Sequence, residues 1–492
     1  AVRGGGYDFA DFLLGLPQQA TVQYGPGTVK MRGQSFSLYV QDDWRKSANL
    51  TFNLGLRYEL ILPFVESNGQ MVNLDAAPGF TAVVPVVSGG TGLYSGAYPQ
   101  GLLLADGNNI APRVGFAWRA APGTILRGGY GLSYNAGSYS AIARNMVGQP
   151  PFAVTNTAIG TLGSPLLLTD PLATATPDEI TNDYGVERDY QLGLIQTWNV
   201  DLSRDLSQVW NIGGNYTYIR GSNLDILRAP NRGPDGLLID GVQPFLWQSD
   251  EGSSRAHAAS FRLARRPVRG VGGGVTYTWG YARDNASSTG GGTVVAQDDR
   301  NLEAEWGRSS FDRRHQVSAN MNVELPWGAG RRWLTEGGVW GRLLENWRFT
   351  TSFTWQTGTP LTARVVGAAS SVAQGASGTL RANYTGDSIS IGSPTIDRYF
   401  NTAAFGIPDA GTFGNSSRNM IVGPGSRMLD AQFSRDVTLG GTRTLSLQLN
   451  ANNLLNFVNY ANVDTVVNSP TFGQITSVRP MRSMTLNLRF RY

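Results

Sequence analysis

Ser483–Tyr492 reads SMTLNLRFRY, and its alternation narrows the chain to two kinds of β protein. Met484, Leu486, Leu488, Phe490 and Tyr492 fall on one side of an extended chain. Thr485, Asn487, Arg489 and Arg491 fall on the other, because successive side chains of a strand point to opposite faces. One face is apolar throughout; the other is charged and hydrogen-bonding. A barrel strand with lipid outside and water inside has this pattern. An edge strand of a soluble sandwich has it too, and this segment alone does not separate them.

The same alternation recurs upstream. In Leu50–Leu60 the apolar set is Leu50, Phe52, Leu54, Leu56, Tyr58 and Leu60, set against Thr51, Asn53, Arg57 and Glu59. Gln191–Ser203 and Thr442–Asn450 repeat it. Strands are predicted near 34–45, 49–60, 111–120, 124–134, 188–203, 208–220, 254–265, 270–282, 313–325, 345–358, 426–437, 442–456 and 481–492. Most exceed the ~5–6 residues of a soluble strand and suit a tilted membrane crossing. Tight joins (Arg45–Asn49, Ala121–Gly123, Arg204–Ser207, Arg266–Arg269, Thr438–Gly441) alternate with long ones (61–110, 135–187, 221–253, 283–312, 359–425). Join 326–344 is intermediate and falls in a short slot. Long structureless loops argue against a soluble domain; short turns on one side and long loops on the other mark an outer-membrane barrel. Trp44, Trp118, Tyr130, Tyr134, Trp198, Trp210, Tyr216, Tyr218, Trp279, Trp347 and Trp355 sit near strand ends, where amphipathic rings form interfacial girdles.

Composition agrees. The 492 residues exceed one ordinary soluble core, a limit that a large barrel escapes. With 62 Gly, 10% aromatics and only 15% charged residues, the chain reads as all-β. A mean hydropathy of −0.20 is compatible with a polar lumen face. No apolar run approaches the ~18 residues of a membrane helix; Pro63 and Pro85 break the best candidates.

The chemistry excluded is broad. There is no Cys, hence no disulfide framework, thiolate metal site or cysteine nucleophile. His257 and His315 are far apart and no HExxH spacing occurs. Gly270–Gly274 lacks the Lys-Ser/Thr of a phosphate loop and fits strand curvature better. The acid pairs Asp42/Asp43 and Asp298/Asp299 lack calcium-loop spacing, and no GxSxG is present. The expectation is a non-enzyme without cofactor or metal. A net charge of +4 with scattered Arg and no basic stripe is not a nucleic-acid footprint.

Direction follows from the loops. The final strand comes after a long loop and so runs down to the periplasm. Counting about thirteen strands back, the first also runs down, whereas a complete even-numbered barrel starts with an upward strand. The expectation is therefore the C-terminal part of a larger barrel: residues 1–33 an extracellular loop segment, residues 34–492 the barrel portion. Met484, Leu486, Leu488, Phe490 and Tyr492 then resemble the C-terminal assembly signal of Gram-negative outer-membrane proteins. Ser483–Tyr492 is expected as an unclosed barrel edge or paired with a non-native partner.

Several stretches resemble one family. DFADFLLGLPQQA (Asp8–Ala20) resembles an outer-loop motif of Oar-like TonB-dependent receptors of the acidobacterial type. FSLYVQDDWR (Phe36–Arg45) with LTFNLGLRYEL (Leu50–Leu60) resembles a hairpin of TonB-dependent barrels generally. FDRRHQVSANMNVELPWG (Phe311–Gly328), WRFTTSFTWQTGTPLT (Trp347–Thr362) and YFNTAAFGIPDAGTFGNSSRNMIVGPG (Tyr399–Gly425) resemble successive Oar-like segments. NANNLLNFVNYANV (Asn450–Val463) and SPTFGQITS (Ser469–Ser477) complete the series, in family order. The resemblance implies an antiparallel transmembrane barrel of ~22 strands with an N-terminal plug, a TonB box and often a carboxypeptidase-regulatory-like β-sandwich. None of that N-terminal apparatus is in this sequence.

The polar sides of the strands supply candidate lumen-lining residues: Asn53, Arg57, Glu59, Arg127, Asn199, Asp201, Asn215, Gln448 and Asn450. A polar path for substrate and a purely structural network are both open readings. The partners expected are outer-membrane lipid, the barrel-assembly machinery, an unknown large substrate and, only through the N-terminal region, the TonB complex. The leading reading is a TonB-dependent receptor in the outer membrane of a Gram-negative bacterium. The alternatives are a passive pore or surface adhesin on the same barrel, and a soluble secreted all-β binding protein. A propeller would show a ~40–45-residue repeat, and no such repeat is seen.

Overall fold

Thirteen long strands, each hydrogen-bonded to its neighbour in sequence, make one antiparallel sheet. The computed structural model describes residues 13–16, 19–25, 27–159, 166–169, 180–233, 237–285, 296–328, 333, 338–366, 380–409, 411–441 and 443–492. The first twelve residues of segment 1–33, with part of the Asp8–Ala20 motif, lie outside the described residues. The strands are β1 (Ser35–Ser47), β2 (Leu50–Ile61), β3 (Ile110–Ala121), β4 (Thr124–Tyr134), β5 (Leu194–Asp205), β6 (Trp210–Arg228) and β7 (Leu246–Val268). They continue as β8 (Val271–Asp284), β9 (His315–Glu324), β10 (Trp347–Gln356), β11 (Ser426–Gly440), β12 (Arg443–Asn452) and β13 (Ser483–Arg491). Two short strands, Tyr184–Val186 and Gly307–Arg308, add to β7 and β8. Among the described residues β1 pairs only with β2 and β13 only with β12, so the sheet path is open at both ends.

All thirteen predicted strands are present, most with shifted bounds and 124–134 with the bounds unchanged. The segment placed at 188–203 begins at Leu194. The larger correction concerns 221–253, predicted as a loop. Here β6 and β7 run on together to Arg228↔Trp247. The alternation breaks at Gly221–Asn223 because the register shifts there, with Asn223 at a φ of 52°. A bulge inserts residues without ending the pairing, so the break in period here does not mark a strand end. The tight joins are turns, with shifted bounds: the one predicted at Arg266–Arg269 is the two-residue turn Arg269–Gly270 between β7 and β8, with φ of 52° and 77°, a geometry with positive φ at both central positions.

The long loops fold at the end of the sheet opposite these turns. Met71, Leu102, Ile142, Met146, Tyr184 and Tyr190 belong to one buried cluster, drawn from 61–110, helix α1 (Ser138–Val147) and 184–193. A second gathers Ala382, Phe400, Phe405, Ile421 and Val463. A third gathers Leu74, Val83, Phe245 and Trp247. The protein's buried apolar cores are thus in this cap. The strands instead expose their apolar residues, as in Leu488 at 66% and Phe261 at 63%.

Candidate functional site

Cross-strand pairing sorts the side chains of the sheet into two faces, since directly opposed residues share a face. One row runs Arg45–Thr51–Ala117–Arg127–Asp201–Asn215 and on through Ser260–Thr278–Gln316–Gln356–Ser426. It crosses β1 to β11, and only Ala117 is apolar. A parallel row, Asp43–Asn53–Gly115–Gly129–Asn199–Thr217, lies on the same face. The opposite face carries Trp44–Phe52–Phe116–Gly128–Val200–Tyr216–Ala259–Trp279.

All nine residues singled out from sequence stand on the polar face. Asn53 Nδ2 donates to Asp43 Oδ1 at 2.6 Å. Arg57 pairs with Glu59 at 2.5 Å, and Arg127 with Asp201 at 3.6 Å. Asn215 Nδ2 donates to the Val200 carbonyl at 3.3 Å and its Oδ1 accepts from Thr217 Oγ1 at 3.1 Å. Asn450 Oδ1 accepts from Gln432 Nε2 at 2.8 Å. Asn199 lies against Gly129, where an added Cβ would stand 3.0 Å from Asn199 Oδ1. Gln448 opposes Ser434 and Asn487. The nine are spread over β2, β4, β5, β6 and β12 and form no single cluster. Met484, Leu486, Leu488, Phe490 and Tyr492 are all exposed, on the apolar side of the edge strand β13.

Two aromatic belts border the apolar face. Trp44, Trp118 and Trp210 lie within a few residues of the tight turns, and Trp347 opens β10 just after the intermediate join 326–344; Trp347 stacks on Phe433 at 4.3 Å between centroids. Nearer the long loops, Tyr130–Trp198–Tyr218–His257 form a continuous stack at 4.9, 5.2 and 4.7 Å, with Tyr281 next in register. Paired girdles around an apolar band are what a bilayer selects.

The cap holds the strongest electrostatics, which the sequence reading missed. Arg381 Nη1 donates to both carboxylate oxygens of buried Glu305 at 2.7 Å. Arg418 reaches Asp284 at 3.2 Å and the Glu305 carbonyl at 2.8 Å. Arg228 forks onto Asp299 with two bonds of 2.8 Å and pairs with Glu251 at 2.5 Å. Most of these contacts join segments over seventy residues apart, such as Glu305 and Arg381, and the nearest, Arg228 with Glu251, spans 23, so no local spacing announces them; of these residues only Arg418 falls in a family-like stretch. Burial, then the charges of Asp250, Glu251 and Asp189, push Glu187 in the cap up to about 7, while Arg228 pulls the other way. Asp75 goes the other way: burial would raise it, but the Tyr94 amide, Ser95 and the Tyr98 hydroxyl hold it below the ordinary carboxylate range.

An antiparallel sheet with one exposed apolar face between aromatic belts and one continuous polar face is the wall of a membrane-spanning barrel. The chain belongs to the outer membrane beta barrel domain family, whose family model matches residues 2–485. It is an outer-membrane protein of Gram-negative bacteria. No curated protein matches it. Among solved structures it is similar to the outer membrane transporter YddB from Escherichia coli, at 10% identity and a TM-score of 0.48, covering 96% of this chain and 54% of that one. It is also similar to the siderophore receptor PiuA from Acinetobacter baumannii, at 11% identity and a TM-score of 0.45, covering 94% of this chain and 44% of that one. The ferripyoverdine receptor of Pseudomonas aeruginosa gives 11% identity and a TM-score of 0.45, with 94% and 39% covered. The chain thus spans about half the length, or less, of these solved structures.

Proposed function

We propose that this chain is the C-terminal barrel portion of an Oar-like TonB-dependent receptor that moves a large substrate across the outer membrane. The observation that carries this is the ordered series of family-like stretches from Asp8 to Ser477, set on a sheet whose polar face is continuous across β1 to β11. On this reading Asn53, Arg57, Glu59, Arg127, Asn199, Asp201, Asn215, Gln448 and Asn450 line the lumen. The pairs Arg57–Glu59 and Arg127–Asp201, with the bonds of Asn53, Asn215 and Asn450 to neighbouring strand residues, support a chiefly structural wall, against which a plug or a passing polar substrate exchanges contacts. The cap makes first contact with substrate, since loops on a rigid scaffold carry recognition. Met484, Leu486, Leu488, Phe490 and Tyr492 present the assembly signal to the barrel-assembly machinery. Energy arrives from the TonB complex through an N-terminal region, and the reading assigns no catalytic residue. Oligosaccharides, peptides or proteins, and metal chelates are the substrate classes that suit such a lumen.

The test is uptake by cells carrying the full-length protein, with labelled members of each class, before and after deletion of the TonB complex. Uptake that requires both receptor and TonB is the expected result. Steady, energy-independent conductance of the full-length protein in planar bilayers would favour the passive-pore alternative instead.

A further inference from the structure

Above the upper aromatic belt, on the same face, comes a row made of arginine. Arg220 opposes Arg255, Arg255 opposes Arg283, and Arg283 opposes Arg308. Each of the first three stands two residues beyond a belt aromatic or imidazole: Tyr218, His257 and Tyr281. Arg220 is ten residues above the start of β6 and Arg283 twelve above the start of β8. Tilted strands of that length rise roughly 25–30 Å, the height of the apolar band at about 25 Å. The row therefore sits at the headgroup level of the outer leaflet, facing lipid rather than lumen.

Directly opposed like charges destabilise a sheet, and little in the fold relieves these. Arg308 is neutralised by buried Asp312 at 2.9 Å. Among the described residues Arg220, Arg255 and Arg283 make no ion pair. Arg255 and Arg283 instead flank the Trp306 ring, at 5.8 and 5.5 Å from guanidinium carbon to centroid. Arg314 lies over Tyr281 at 4.5 Å and shares Asp312 with Arg308, at 3.6 Å. The bulge after Gly221 opens a recess of about 310 Å³ beside the row, lined by Arg220, Ser222, Ser253, Arg255 and Trp306. Guanidinium forks and hydroxyls converging on one recess suit a phosphate monoester.

We propose that Arg220, Arg255 and Arg283, with Ser222, Ser253 and Trp306, form a binding site for phosphate-bearing lipid headgroups of the outer leaflet. The site rests on the outer-membrane barrel reading only for its depth in the bilayer. Lipid phosphate supplies the charge that the row lacks, and the Trp306 indole seats at the glycerol or sugar level beneath it. Such a contact anchors this arc of the barrel to the leaflet next to the β6–β7 extension.

The test uses the full-length protein purified from outer membranes in a neutral detergent, after fractionation and heat-modifiable migration have verified the barrel. Binding is measured by titration with diphosphoryl lipid A, with its dephosphorylated form and with inorganic phosphate as competitor. The wild type is expected to prefer the phosphorylated lipid. The triple variant Arg220→Gln, Arg255→Gln, Arg283→Gln should lose about a hundredfold in affinity, roughly fivefold per arginine, while Arg398→Gln in a distant exposed loop leaves binding unchanged. Arg→Lys at the three sites retains part of it and shows that the site is assembled. Equal binding of the dephosphorylated lipid, or unchanged binding by a triple variant that still migrates as a folded barrel, overturns the site alone. Displacement by equimolar inorganic phosphate overturns the assignment to lipid. Absence from the outer-membrane fraction overturns the barrel reading and the site together.

Discussion

The wall and the cap solve opposite solvent problems with the same chain. In the wall Val200, Leu202, Leu486 and Leu488 point outward and are exposed, while Asn199, Asp201 and Thr485 point to the other side. In the cap Met71, Ile142, Met146 and Tyr190 point inward and are fully buried. The wall has no packed core because lipid covers its apolar face; the cap stands in water and must bury its own. Ion pairs differ in the same way. Arg127–Asp201 on the wall is open and long at 3.6 Å, while Arg381–Glu305 in the cap is buried at 2.7 Å.

The sharpest break of this comparison is between those two pairs. Arg381→Ala removes the nearest cation of the Glu305 carboxylate, leaving Arg418 Nε at 3.9 Å and the Gln297 amide at 2.9 Å, and should cost the cap about 3–5 kcal/mol; Arg127→Ala should cost no more than about 1 kcal/mol. Limited proteolysis of the cap beside the heat-modifiable shift of the barrel separates the two effects. Next, Ile142→Ala should destabilise the cap by about 2–5 kcal/mol and leave the barrel's urea midpoint in lipid unmoved. If the midpoint falls in step, wall and cap are one cooperative unit. Val200→Arg on the apolar face should cost about 2–4 kcal/mol in lipid, whereas Asn199→Arg, one residue away, should be nearly neutral. The smallest effect is on pH. Glu187 binds a proton in the folded cap up to about pH 7, but gives it up near 4.5 when unfolded. Cap stability should therefore fall as pH rises through that window and level off above it. Glu187→Gln should flatten the profile, read by hydrogen exchange of residues 184–193.

The wall was legible in the sequence because its rule is local: each strand repeats with period two, and every tight turn resets the direction. Thus Asn53 and Asn450, 397 residues apart, could both be assigned to the polar face. The cap obeys no such rule. Arg228 meets Asp299, and Arg381 meets Glu305, only once loops from different strands have packed. The arginine row is an intermediate case. Arg220, Arg255 and Arg283 each follow a belt aromatic or imidazole by two residues or precede it by two, but their alignment depends on the register of β6, β7 and β8. The 221–253 segment hid its strands because the bulge at Gly221–Leu224 breaks the alternation while the hydrogen bonding continues.

The central claim is that the apolar side of each strand meets lipid and the polar side meets water. These 492 residues contain no cysteine, so single cysteines at Asn199, Val200, Asp201 and Leu202 can be labelled in the full-length protein in its outer membrane, with the unsubstituted protein as the background control. The account predicts that a water-soluble maleimide modifies the cysteines at 199 and 201, and a bilayer-confined reagent those at 200 and 202. Uniform modification of all four positions by the water-soluble reagent would contradict it.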